Sequence, residues 1–127
     1  MSKDFVQAFT STSAATTETA MTGSPYTVPK AGVLQEAIVS VGGDAATSLI
    51  ETGYVKMSSK QWGNREVIVP FAGAGIRTAP AHPIPISVLS NLNLPCPLGT
   101  VINAVVNHVT GGVPVTPRIQ CTLVFEN

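Results

Sequence analysis

Charge is what this sequence has least of. Lys, Arg, Asp and Glu make up 11% of the 127 residues, seven basic and seven acidic, so the formal net charge is zero; an ordinary soluble domain carries about 25% charged residues. A surface this poor in ionised groups does little to hold copies apart, and near-zero net charge favours association. Lys3 is the sole basic residue before Lys30, and Asp4 adjoins it. Direct nucleic-acid binding, which uses clustered positive charge against phosphate, is therefore not expected.

Other absences narrow the reading further. Two cysteines are too few for a disulfide framework, and neither has a CxxC or Cys/His spacing for zinc. Cys121 alternates with Ile119, Leu123 and Phe125 and reads as a small buried hydrophobe, while Cys96 lies between Pro95 and Pro97 in a loop. Whether the two pair depends on geometry that spacing does not give. No run of about 18 apolar residues occurs, and the opening MSKDFVQAF lacks a signal-type apolar stretch, so neither a membrane span nor an export signal is expected. Long helices are excluded by the scatter of 11 glycines and 10 prolines.

What remains is strand. Val, Thr, Ala, Gly, Pro and Ser dominate, a mixture that favours short strands and tight turns. Apolar runs bounded by turn residues are predicted as strands over Gly32–Val41, Ser48–Met57, Arg65–Phe71, Thr100–Thr110 and Arg118–Glu126. Gly53 interrupts the second and suggests a bulge or kink there. The proline-rich segment from Pro80 to Pro97 keeps the alternation of Ile84, Ile86 and Val88, and its prolines confine it to a sheet edge or an extended crossing. The clearest signal is the last run, where Ile119, Cys121, Leu123 and Phe125 alternate with polar neighbours. The predicted core line is Val67, Val69, Phe71, Val106, Ile119, Leu123 and Phe125.

Such spacing, with no helical pattern between the strands, indicates an all-β fold, a single β-sandwich over residues 26–127. Trp62 precedes both cysteines, so the immunoglobulin Cys-Trp-Cys order is missing and a jelly-roll-like arrangement is favoured. Residues 1–25 differ. From Thr10 to Ser24 they are nearly all Ser, Thr, Ala and Gly, too polar to bury enough surface to order themselves. They are expected to form an extended N-terminal arm anchored on neighbouring subunits by Phe5, Val6 and Phe9.

Chemistry is sparse. His82 sits in a loop and His108 on a strand face with Val106 and Ala104, neither with a carboxylate set around it that would make a metal site. Glu36, Asp44, Glu51, Glu66 and Glu126 are dispersed, and no pair shares an element at catalytic spacing. Gly73-Ala74-Gly75-Ile76-Arg77 has Thr78 where a dinucleotide loop would have its third glycine, and no helix pattern follows. No enzyme activity and no cofactor are expected. Lys56, Lys60 and Arg65 surround Trp62, either as a small surface patch with Tyr54 nearby or as a hairpin loop whose tryptophan packs on its own base.

The uncharged Ser/Thr/Ala arm, the stretch Tyr26-Thr27-Val28-Pro29, the turn Pro97-Leu98-Gly99-Thr100 and the closing strand Arg118–Glu126 together resemble a viral coat or capsid-decoration protein built on a β-sandwich. That resemblance implies synthesis in a host cytoplasm, location in the virion, and partners that are copies of itself and other capsid proteins. The arm departs from genome-packaging coats in not being basic, which favours a decoration role or a shell filled by other means. Two other readings stay open. A filament or pilus subunit would donate the arm as a strand to its neighbour, and a carbohydrate-binding module would expose Trp62 and Tyr54 as a platform.

Overall fold

The alternation that marks the last strand in the sequence is the one the sheet uses. In the computed structural model, Ile119, Cys121, Leu123 and Phe125 all turn inward and are buried, while Gln120 is exposed. The structure describes residues 2–11, 17–43, 50–63, 65–74, 86–110 and 117–127. Within them run strands β1 (Lys3–Ser11), β2 (Thr19–Ala20), β3 (Tyr26–Thr27), β4 (Gly32–Gly43), β5 (Ile50–Ser58), β6 (Glu66–Ala74), β7 (Ile86–Leu89), β8 (Leu94–Cys96), β9 (Val101–Thr110) and β10 (Pro117–Glu126). A single 3-10 turn, Lys60–Trp62, links β5 to β6. His82, Ile84, the loop Gly75–Arg77 and residues 12–16 of the expected arm lie outside the described residues.

The strands form two antiparallel five-stranded sheets. The first has the order β1-β10-β4-β7, with β8 also on β4; the second has the order β2-β9-β5-β6, with β3 also on β9. One apolar cluster lies between them and makes the architecture sandwich-like. Leu34, Ala37, Val39, Ile119 and Leu123 from the first sheet meet Val55, Met57, Val67, Val69, Ile102 and Val106 from the second. Phe71 and Phe125 are buried in the same cluster. Each fully buried aliphatic or aromatic side chain there contributes about 1.5–3 kcal/mol relative to exposure.

Two of the strand positions are interrupted rather than lost. β4 pairs first with β8, Gly32–Leu34 against Leu94–Cys96, and then with β7, Ala37–Ser40 against Ile86–Leu89. Between them β4 bulges at Gln35, whose carbonyl accepts from Leu92 N at 3.0 Å. Asn91 and Asn93 turn the chain there with φ of 57° and 51°, a conformation asparagine tolerates better than most residues. Likewise β2 and β3 lie along one edge of β9. Met21 N donates to Ala104 O, Ala104 N to Ser24 Oγ and Val28 N to Thr100 O, so contact persists across the gap. Pro95 and Pro70 sit in β8 and β6, both at sheet margins, where a missing N–H costs no ladder bond.

The N-terminus differs from its expected place. Lys3–Ser11 is strand β1, antiparallel to β10 of the same chain, with Lys3 opposite Glu126 and Ser11 opposite Ile119. Thr19–Ala20 pairs with β9. The composition of residues 10–24 hid this, because the strand's apolar side chains all precede that stretch. The register shifts between Gln7 and Phe9, a one-residue bulge at Ala8. Gly23, with φ of 97°, lies so close to the carbonyl of Ala8 that any side chain would collide with it. The bulge and the glycine turn therefore fit one another.

At Gly53 β5 neither kinks nor bulges; its register irregularity against β9 falls two residues earlier, between Ile50 and Thr52. β5 runs through it, opposite His108 on one side and Phe71 on the other. An added Cβ would stand 2.6 Å from Asn107 O and 2.7 Å from both His108 Cβ and Phe71 Cε1. The position is where β9 backbone and the side chains of His108 and Phe71 close over the bare backbone of β5.

Candidate interaction faces

Directly opposite residues of an antiparallel pair project to the same side of a sheet, so register defines what each outer face presents. On the first sheet, Gln7, Thr122, Ile38 and Val88 form one outward row across β1, β10, β4 and β7. Gln120, Ser40 and Ile86 form the next, and Phe5, Val124 and Glu36 the one on the other side. Phe5, Ile86 and Val88 are exposed at 65%, 64% and 54%. Val124 is fully buried yet stands outside the core cluster, because it faces outward under its neighbours on β1 and β4. The two central rows carry no ionised group. Among the residues whose side chains are described, charge on this face falls at Glu36, Lys3 and Glu126 toward one end, and Arg118 stands opposite Gly42 toward the other end of β10.

The outer face of the second sheet is built differently. Lys56 on β5 lies 2.7 Å from Glu18 Oε2 and 3.6 Å from Glu66 Oε2, and the Tyr54 hydroxyl donates to Glu18 at 2.8 Å. The lysine and the phenol hold the Glu18 carboxyl below the usual carboxylate range, and Glu18 in turn raises Lys56. This network ties the segment leading into β2 across the sheet. Ile68 and Val101 are exposed on the same side, beside Asn103 and Glu66. One sheet thus carries an ion-pair network across the middle of its outer face, and the other keeps the two central rows of its outer face free of ionised groups.

At one end of the sandwich the turn Lys60–Trp62 faces the turn Pro97–Thr100 across a cleft of about 360 Å³ lined by Ser59, Lys60, Gln61, Gly99, Val101 and Asn103, with Thr100 at its base. Local capping fixes both walls. Ser59 Oγ accepts from Gln61 N at 3.3 Å, and Thr100 Oγ1 donates to Pro97 O at 2.7 Å.

The residues singled out from sequence separate. Phe9 is buried, Val6 packs half-buried against the core, and Phe5 points out from the opposite side of β1. Trp62 is not a surface contact: it is 8% exposed and sits under the turn against β8, where its indole N–H meets no oxygen or nitrogen acceptor and lies beside the Cys96 thiol. Tyr54 is half-buried and committed to Glu18, so the two rings make no platform. Packing of the turn after β5 against β8 buries the tryptophan, in keeping with the hairpin-loop alternative in which it packs on its own base. His108 is fully buried in β9. Cys96 and Cys121 are both buried and unbridged; burial pushes the Cys121 thiol up to about 12 and also raises Cys96.

Sequence reasoning missed the outward rows of the first sheet, since they depend on cross-strand register. Among the described residues no three His, Cys, Asp or Glu side chains come together as a metal site, and no helix is long and apolar enough to cross a membrane. Compared with protein families, curated proteins and solved structures, the chain matches none.

Proposed function

We propose that this chain is a structural subunit that assembles with copies of itself into a closed shell, as a coat or capsid-decoration protein of a virion, on a jelly-roll framework. The pairing pattern is the observation that carries the framework. First pairs with last (β1 with β10), the interrupted second with the next to last (β2 and β3 with β9), β4 with the interrupted β7 and β8, and β5 with β6. Such nesting reads as one long antiparallel ribbon whose wrapping brings β10 onto β4 and β9 onto β5, and this pattern of eight strand positions in two sheets supports the jelly-roll reading.

The assembly reading rests on the contrast between the two outer faces. A sheet face whose two central rows carry no ionised group and which exposes three large apolar side chains, on a chain of zero net charge, suits burial against another copy of the same low-charge surface. A filament that borrows a strand is less well supported, because β1 already occupies the place beside β10.

The test is a pair of variants measured by sedimentation velocity and circular dichroism. Ile86→Lys with Val88→Lys is expected to leave a folded protein that no longer assembles. Ile68→Lys, on the other sheet, is expected to assemble as the parent does. Equal assembly by both, or loss by Ile68→Lys alone, overturns the assignment of the face.

A further inference from the structure

The cleft between the Lys60–Trp62 and Pro97–Thr100 turns has no part in the shell reading and carries its own chemistry. We propose that it is a binding site for a carboxylate-bearing sugar, a uronic-acid-type ring.

Its polar lining divides into two groups. Ser59 and Thr100 spend their hydroxyls on holding the walls. The Lys60 ammonium and the side-chain amides of Gln61 and Asn103 make no hydrogen bond or ion pair with any described residue, and among the described residues no carboxylate lines the cleft. One unpartnered cation suits a single negative charge. Two amides, each able to donate and to accept, match vicinal hydroxyls, which need both. Val101, exposed at 42%, and the bare backbone at Gly99 offer apolar contact for the C–H face of a ring.

The same lining argues against other ligands. Among the described residues no aromatic side chain borders the cleft, so these residues give a nucleobase nothing to stack on. A phosphate monoester would bring more charge than one lysine balances. At about 360 Å³ the space is at the small end of ligand sites and takes one ring rather than a chain.

Saturation-transfer NMR suits the experiment, because it reads ligand protons equally well on a dispersed subunit or a large particle. The probes are methyl glucuronide, methyl glucoside and acetate, presented to the full chain. The expected result is saturation of the glucuronide ring, displaced by neither of the other two at equal concentration. Lys60→Met should weaken glucuronide binding about tenfold or more, as loss of a charge-assisted hydrogen bond does, with Lys60→Arg restoring part of it. Lys60 is exposed, so the fold is not at stake, and circular dichroism verifies that. No transfer to glucuronide, equal transfer to glucoside, displacement by acetate, or indifference to Lys60→Met each overturns the proposal. None of these outcomes bears on whether the subunit assembles.

Discussion

Phe5 and Phe9 lie in one strand, an even number of residues apart, and face opposite sides of the sheet. In a regular strand they would share a face. The bulge at Ala8 reverses the alternation, so Phe9 is fully buried, with its ring 6.4 Å from that of Tyr26 at 82°, while Phe5 is 65% exposed beside Val124. The same residue type therefore serves the core at one position and the outer face at the other.

Substitution separates the two roles. Phe9→Ala is expected to cost about 3–5 kcal/mol of stability, as for a buried aromatic, and Phe5→Ala no more than about 0.5 kcal/mol in the dispersed subunit. Urea denaturation of both variants checks this. Equal losses would mean that the bulge is misplaced.

Gly53 gives a sharper packing test. A methyl group there meets backbone and two side chains at 2.6–2.7 Å, and overpacking of this kind costs about 1–3 kcal/mol. Gly53→Ala should lower the thermal midpoint accordingly, whereas Gly63→Ala, with open space around it, should reflect only its backbone preference. Differential scanning calorimetry distinguishes them.

The Glu18–Lys56 contact makes part of the stability depend on pH. The folded-state pKa of Glu18 is depressed, so its contribution is present above the carboxyl's ordinary value and is lost as pH falls through the lowered one. Lys56, facing Glu18, Glu66 and Tyr54, is raised, so its share holds below the ordinary lysine range and fades only as pH climbs through the raised value. Glu18→Gln should therefore flatten the acid limb of stability against pH, read by urea midpoints between about pH 2 and 6. An unchanged acid limb would show that the contact does not persist in solution.

The thiols are expected to be silent. With Cys121 pushed up to about 12 and Cys96 raised, both buried and unbridged, a thiol reagent at neutral pH should label neither in the folded protein and both after unfolding. Rapid labelling under native conditions would contradict the burial of β8 and β10.

Much of the sandwich is legible in the sequence because period-two alternation survives in β6, β9 and β10. Val67, Val69 and Phe71, or Ile119 and Leu123, can be placed inside without knowing what they pair with. The N-terminal strand was not legible. Its bulge scrambles the alternation of Phe5, Val6 and Phe9, and the Ser/Thr/Ala run behind it dominates any compositional window. Trp62 could be read as surface or as loop base, and only the packing of the turn on β8 decides for the base. The outer rows are a cross-strand property: Thr122, Ile38 and Val88 are far apart in sequence and meet only through register. The cleft was equally hidden, since Lys60 and Asn103 belong to separate turns and strands.

In the proposed assembly, copies of this chain bury the outer face of the β1-β10-β4-β7 sheet against one another. Electron microscopy of the purified full chain at physiological salt, with its mass read in parallel by light scattering, tests it most directly. Closed particles of uniform diameter, dispersed by Ile86→Lys with Val88→Lys, are the expected result. A stable, freely dissolved species of 13.1 kDa across the micromolar range would contradict it.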